Sequence, residues 1–424
     1  MPEKSAWNSP ARAGYDRSVM ENIYLDHAAT APIRDEVWAS MASARGQADY
    51  NAASTHAFGR AADDHLESAR RTLSGLLGAP RSRLRFTGGG TASDNLAVLG
   101  FARAHAGSSP RLLVSEIEHR AVLQAAARAG SEGADVTHLP VDADGRLDLD
   151  ALERELERGD DRRPTLVSVM WANNEIGTVQ PVKEACEAAH AHGALFHTDA
   201  VQALGKVPVS LEDVPADLLT ATAHKLGGPV GIGLLVVDQD VEIEPLFYGG
   251  EQEKGAWPGT QNPVAAVGFA EAARLAVEER ADRAGTWSRW RRKLEGSLRD
   301  RLDGLRVRGG GAPERLPHLL NVGVPGCDQA ELLVSLDMEG VAVSSGSACS
   351  SGAVEPSHVL EALGEPPPDE TGTIRISFGP STTGEQVRAA GDAVVRVVRR
   401  LRGASVAGAA GGAALGTSDA GDGA

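Results

Sequence analysis

Cysteine is scarce in this chain of 424 residues: three occur, and no two stand in a C-x-x-C pair. A disulfide framework and a structural zinc site both lack ligands, so no metal site is expected and a reducing cytoplasm is the compartment that fits. Basic charge is also short, with 42 Lys and Arg against 58 Asp and Glu and a formal net charge of -16. Such a molecule does not attract a nucleic-acid backbone or an anionic membrane surface, so neither is expected as a partner. No apolar run reaches membrane-spanning length, and the segment from Met1 to Met20 lacks the continuous apolar stretch of a secretory signal. No repeat of solenoid length is visible.

What the chain does contain is alternation. Short β-branched or leucine-rich runs at Leu84–Thr87, Leu112–Ser115, Val136–Leu139, Leu166–Trp171, Leu195–Thr198, Leu218–Thr220 and Gly233–Val237 are separated by amphipathic helical stretches. That order predicts an α/β fold built from βα units around a mostly parallel seven-stranded sheet. A long charge-rich helical stretch from Pro263 to about Arg301 would bridge to a second domain. The expected organisation is a disordered extension over 1–22, a large domain over 23–275 whose first residues pack on the small domain, a small C-terminal α/β domain over 276–402, and a disordered Gly- and Ala-rich tail over 403–424.

Four segments carry residues suited to chemistry. Lys225 sits among small residues in Thr220–Gly233, directly after a predicted strand, where glycines let a flat ligand approach the backbone. An amine there suits a Schiff base with an aldehyde cofactor, although a surface lysine in a Gly-rich turn reads the same way on this segment alone. Asp199 follows the apolar run Ala194–Phe196 and is placed either to face a cationic ring nitrogen or to cap the next helix. Phe86–Asn95 sets glycines and hydroxyls between a strand and a helix, where free N–H groups hold phosphate, yet it matches neither G-x-x-x-x-G-K-[ST] nor G-x-G-x-x-G. His119, in Ser115–Arg120, is suited to stacking on a flat ring or to a structural role.

Taken together, these segments resemble the fold-type I, class V aminotransferase-related pyridoxal phosphate enzymes, and among them the cysteine desulfurases of the NifS/IscS type. The resemblance runs from Ile23 to Arg402 through Tyr24–Pro32, Asn51–His56, Phe86–Asn95, Glu118-His119, Met170–Gln180, His197–Gln202, Thr222–Lys225, Ser344–Gly352 and Thr373–Ser377. It implies that Lys225 carries the cofactor, pyridoxal 5'-phosphate, that Asp199 pairs with its ring nitrogen and that His119 stacks on the ring. Gln202 and Asn174 would face the phenolic oxygen. Gly90, Thr91, Thr222 and His224 would hold the phosphate, joined by Thr260 from the neighbouring subunit of a homodimer. Arg375, with Asn174, would receive the carboxylate of the substrate, L-cysteine.

Cys349 separates a desulfurase from an ordinary aminotransferase. Its flanks, Ser344–Gly352, are small and polar, which suits a thiol that visits the cofactor and then an acceptor rather than an inert buried cysteine. Cys186 lies in a helical pattern and reads as structural, while Cys327 ranks a distant second as nucleophile through a helix dipole that would lower its pKa. The implied activity is conversion of L-cysteine to L-alanine, leaving a persulfide on Cys349 for a sulfur-acceptor protein of unknown identity. Iron-sulfur cluster assembly, tRNA thiolation, DNA sulfur modification and a dedicated biosynthetic pathway all draw on such an enzyme. The alternatives are a selenocysteine or other carbon-sulfur lyase on the same scaffold, or a non-catalytic sulfur-relay or scaffold subunit. Two departures from the family pattern stand out: Trp257-Pro-Gly-Thr260 where Arg-Ser-Gly-Thr is common, and Ala92 where a Glu often follows the phosphate-loop threonine.

Overall fold

Within the central strands, successive apolar side chains leave the sheet on opposite faces and enter different cores, as the two-residue period of a strand requires. Leu113, Val167, Leu219 and Leu234 join one buried cluster, while Leu112, Leu166, Leu218 and Leu235 join another on the far side. The computed structural model describes residues 22–158, 163–346, 357–365 and 371–414, with side chains as far as Gly403.

A two-residue strand β1 (Ile23–Tyr24) and helices α1 (Asp35–Ala44) and α2 (Ala57–Leu77) come first. Strands and helices then alternate: β2 (Leu84–Thr87), α3 (Gly90–Ala104), β3 (Arg111–Ser115), α4 (Arg120–Ser131), β4 (Asp135–Leu139), α5 (Leu149–Glu157), β5 (Thr165–Ser168), α6 (Val182–Ala191) and β6 (Leu195–Asp199), followed by β7 (Leu218–Thr222) and β8 (Gly233–Val237). After them come α7 (Pro263–Glu278), α8 (Arg280–Arg301), β9 (Arg306–Val307), β10 (Leu319–Pro325), α9 (Gln329–Met338), β11 (Val341–Ala342), α10 (His358–Ala362), β12 (Thr371–Ser377) and α11 (Gly384–Ala414). The seven-stranded sheet has the order β2-β8-β7-β6-β5-β3-β4, and only β8 runs antiparallel to its neighbours. All seven strands expected from the sequence are present, β2 and β8 with the expected bounds. β5 ends at Ser168 rather than Trp171, although the Trp171 N–H still donates to the backbone carbonyl of Asp199 at 2.9 Å.

A second core joins α8, α9, α11 and the strands β10 and β12 through Leu298, Leu336, Val398, Val322 and Ile374. Leu25 belongs to this core, and β1 pairs in parallel with β11, so the start of the described chain packs on the C-terminal layer. The stretch from Pro263 to Arg301 forms two helices rather than one, broken at Glu279. Its carboxylate there accepts from Arg34 and Arg283, both at 2.7 Å. Helix α11 runs on to Ala414, past the Arg402 limit expected from composition, since alanine is the strongest helix former and offsets the glycines among 403–414. The extension expected over 1–22 lies, apart from its last residue, outside the described residues, as does 415–424.

One buried ion pair fixes the segment that follows the sheet. Glu253 and Lys254 both have positive φ (50° and 58°), which non-glycine residues adopt at a cost of about 1 kcal/mol or more each. Glu253 is held there by both Nη atoms of Arg70, at 2.8 and 3.0 Å, and by the Phe86 N–H at 2.9 Å. Arg70→Ala leaves this carboxylate buried without its cation and should lower stability by about 3–5 kcal/mol in urea unfolding. Arg70→Met combined with Glu253→Leu should recover most of that loss; a cost below about 1 kcal/mol for Arg70→Ala alone would contradict the assignment.

Candidate active site

The loops at the C-terminal ends of the parallel strands are where an open α/β sheet exposes backbone and builds its sites. Here they enclose a cleft of about 1060 Å³. The β2–α3 turn brings Gly90 and Thr91 to it, the loop after β3 brings His119, and the loop after β5 brings Asn174. Asp199 and Gln202 come from the end of β6, Thr222, His224 and Lys225 from the end of β7, and Arg375 from β12 of the second core. Thr260 is exposed and is not among the lining residues of this chain, and Cys349 lies outside the described residues.

Glycine is required at the turn into α3. Gly89 has φ 141°, a left-handed value that side chains avoid, and a Cβ on Gly233 of β8 would meet the Gly89 carbonyl carbon at 2.5 Å. This contact sets the start of α3, whose first-turn N–H groups have no partner within the helix and point a positive dipole end at the cleft.

Lys225 Nζ donates to the carbonyls of Ala28 and Ala29 at 2.7 and 2.6 Å and makes no ion pair among the described residues. Burial, aided by the nearby Arg375 charge, brings its pKa down to about 8. Asp199, 5 % exposed, accepts the Val201 N–H at 2.8 Å, and burial pushes its pKa up to about 6. His119 caps α4 by accepting the Ala121 N–H on Nδ1 at 3.1 Å, so the neutral ring carries its proton on Nε2. Burial and then the Lys225 charge bring its pKa down to about 4, which keeps the ring neutral at pH 7. Gln202 donates to the Ala28 carbonyl at 2.8 Å, while its buried Oε1 has no partner among the described residues. Arg375 is anchored on Asp26 at 2.7 Å and on the carbonyls of Asn174 and Gly346 at 3.0 and 3.3 Å, with Nε left unpartnered among the described residues.

Sequence reasoning passed over the groups around this set. Asp94 on α3 and Glu118 beside His119 are fully buried; burial, followed by the Asp199 charge, pushes both carboxyls well up. Beneath them His197 bonds Ser168 at 2.9 Å and Thr220 at 3.2 Å. Asp26, Ser344 and His358 also line the cleft. The usable signal was a polar Ser93-Asp94 pair on the inward face of an otherwise apolar helix. Trp257 lines the mouth, where its ring packs edge-on against Phe247 at 5.1 Å. Cys327 is 2 % exposed and lies before the N-cap of α9; burial raises its pKa, against the expected lowering, because apolar packing outweighs the dipole. Cys186 is buried in α6 and pushed up to about 12, as a structural thiol would be.

Residues 23–389 match the family model of the class-V aminotransferases. The chain is 40% identical over 386 residues to a cysteine desulfurase of Gluconacetobacter diazotrophicus, covering 90% of this chain and 95% of that protein. It is 37% identical over 380 residues to the cysteine desulfurase IscS of Dictyoglomus turgidum, covering 90% and 95%. A solved NifS-like protein superposes with a TM-score of 0.82 at 33% identity, covering 89% of this chain and 99% of that one. The chain therefore belongs to the class-V aminotransferase family, in its cysteine desulfurase branch of NifS/IscS type. Enzymes of this family depend on pyridoxal phosphate.

With a pKa of about 8, about a tenth of Lys225 is free amine at pH 7, roughly 300-fold more than for an unperturbed lysine. Reductive methylation of the apoprotein, followed peptide by peptide against pH, should show Lys225 half-maximally reactive near pH 8 with a plateau above it. A rate still climbing at pH 10 would show that Lys225 behaves as an exposed lysine.

Proposed function

We propose that the chain is a pyridoxal phosphate-dependent cysteine desulfurase that converts L-cysteine to L-alanine and leaves a persulfide on Cys349 for an acceptor protein. The observation that carries this reading is the meeting of Lys225, Asp199, His119 and Arg375 in one cleft. The donor set suits the cofactor. Asp199 is a buried carboxylate without an ion-paired side chain among the described residues, which suits a protonated ring nitrogen, and Gln202 Oε1 is buried without a partner. A Cβ at Gly90 would press on Val201 at 3.1 Å, so the absence of a side chain keeps that wall open.

Lys225 would carry the aldehyde carbon, Asp199 the ring nitrogen and His119 one ring face, with Gln202 and Asn174 at the phenolic oxygen. Gly90, Thr91, Thr222 and His224 would hold the phosphate, with Thr260 of a second copy completing it in a homodimer. When bound, the cofactor supplies an electron sink that acidifies the Cα proton of an amino acid. This chain's residues supply the rest. Lys225 Nζ, close to neutral pH in its titration, takes up and returns a proton at Cα. Arg375, held rigid by Asp26, receives the substrate carboxylate. Neutral His119 packs on the ring without adding charge to the site. The Cys349 sulfur forms an S–S bond to the substrate sulfur as the C–S bond breaks; the carbon keeps that electron pair, takes a proton and leaves in alanine. The protein acts in the cytoplasm on this reading; among the described residues no helix is long and apolar enough to cross a membrane.

Cys349→Ser offers an oxygen that is protonated at neutral pH and cannot hold a persulfide, so alanine formation should fall to background while cofactor absorbance is retained. Cys327→Ser should remain active, because that thiol is buried and its pKa raised. Alanine formation at the wild-type rate by Cys349→Ser, or persulfide mapped to Cys327 by mass spectrometry, would overturn the reading.

A further inference from the structure

Away from the cleft, α8 and the loop that precedes β10 enclose a second cavity of about 420 Å³. Its walls carry four guanidinium groups, Arg291, Arg292, Arg299 and Arg315, against a single carboxylate, Glu295. The spacing of Arg292, Glu295 and Arg299 puts them on one face of α8. Gly296 lies between them on the same wall, where a Cβ would meet nothing within 4 Å, so the floor stays open. This concentration of positive charge stands on a molecule whose net charge is -16.

The one carboxylate does not satisfy the four cations. Glu295 is shared between Arg299 at 3.3 Å and Arg315 at 3.4 Å, both long for charge-assisted bonds. Asp144, which also acts on Arg315, accepts the Gly311 N–H at 2.8 Å and does not line the cavity. The Arg315 side chain is 8 % exposed, and its Nε and Nη2 have no partner among the described residues. Arg291 donates through Nη1 to the Leu316 carbonyl at 3.1 Å and leaves Nε unpartnered among the described residues. Burial, and the Arg315 charge facing it, bring Arg291 down to about 10. Like charges held this close, with buried donors unused, are destabilising unless an anion joins them.

We infer that this cavity is a binding site for a phosphate-class dianion, gripped by Arg291, Arg292, Arg299 and Arg315. Guanidinium forks match the oxygens of phosphate, and among the described residues no second acidic group lines the cavity to compete. The dianion arrives either as free phosphate or as the phosphate of a small ester. None of the cavity's residues lines the active-site cleft, so the inference stands apart from the desulfurase reading.

The test uses the cofactor-loaded enzyme, whose own phosphate cradle is filled, at an ionic strength fixed with chloride. Calorimetric titration with inorganic phosphate and, separately, with glycerol 3-phosphate should show one saturable site per chain. The exposed pair Arg292→Ala/Arg299→Ala should weaken it at least tenfold and leave alanine formation in phosphate-free buffer unchanged. Tighter binding of phosphate assigns the free ion as occupant; tighter binding of the ester assigns a metabolite. Absence of saturable binding by either, equal binding by the double variant, or binding confined to an acidic peptide such as hexa-aspartate would overturn the inference.

Discussion

Asp199 leaves water at the end of β6 with one backbone N–H to accept, and burial drives its pKa up to about 6. Asp94 and Glu118 surround it in the same dry layer and are pushed up further still, by burial and then by the charge on Asp199. Three carboxyls in one low-dielectric volume do not ionise together, so negative charge concentrates on the member nearest its ordinary value, Asp199. A buried anion of that kind calls for a cation, and the nearby Lys225, depressed to about 8 yet mostly protonated at pH 7, lowers the Asp199 pKa against burial while its Nζ bonds the carbonyls of Ala28 and Ala29.

The sheet supplies the precision. β6 and β7 are parallel neighbours, with Asp199 opposite Thr220, so the carboxylate and the lysine loop leave adjacent strand ends in fixed register. His197, two residues before Asp199, is locked by Ser168 of β5 and Thr220 of β7, which keeps the strand beneath the site from shifting. Arg375 reaches the cleft from the second core, and its ion pair with Asp26 ties it to the segment that crosses between the two cores. The position of that guanidinium in the cleft thus depends on the packing of both layers.

Much of this was legible from spacing. The seven strands could be read because buried parallel strands are short apolar runs, and Gly88, Gly89, Gly90, Gly231 and Gly233 marked close backbone approach. Lys225, Asp199 and His119 each stood just after such a run. Helix limits were harder: the break at Glu279 follows from its long-range partner Arg34, which no local pattern reveals. Asp94 left a trace in the Ser93-Asp94 pair of an otherwise apolar helix, but Glu118 was illegible as a buried acid because a carboxyl in a loop reads as solvated until tertiary packing closes over it. The raised pKa of Cys327 likewise depends on the apolar cluster around it rather than on its place before a helix.

The central claim is that Lys225 is the amine facing Asp199 across the cleft. A rival exists in Lys206, also buried, depressed to about 7 and bonded through Nζ to the Lys225 carbonyl at 2.8 Å, though it does not line the cleft. Borohydride reduction of the pyridoxal phosphate-loaded protein, followed by peptide mapping, distinguishes the two directly. The account predicts the pyridoxyl label on Lys225 alone; label on Lys206, or a protein that takes up no label, would contradict it.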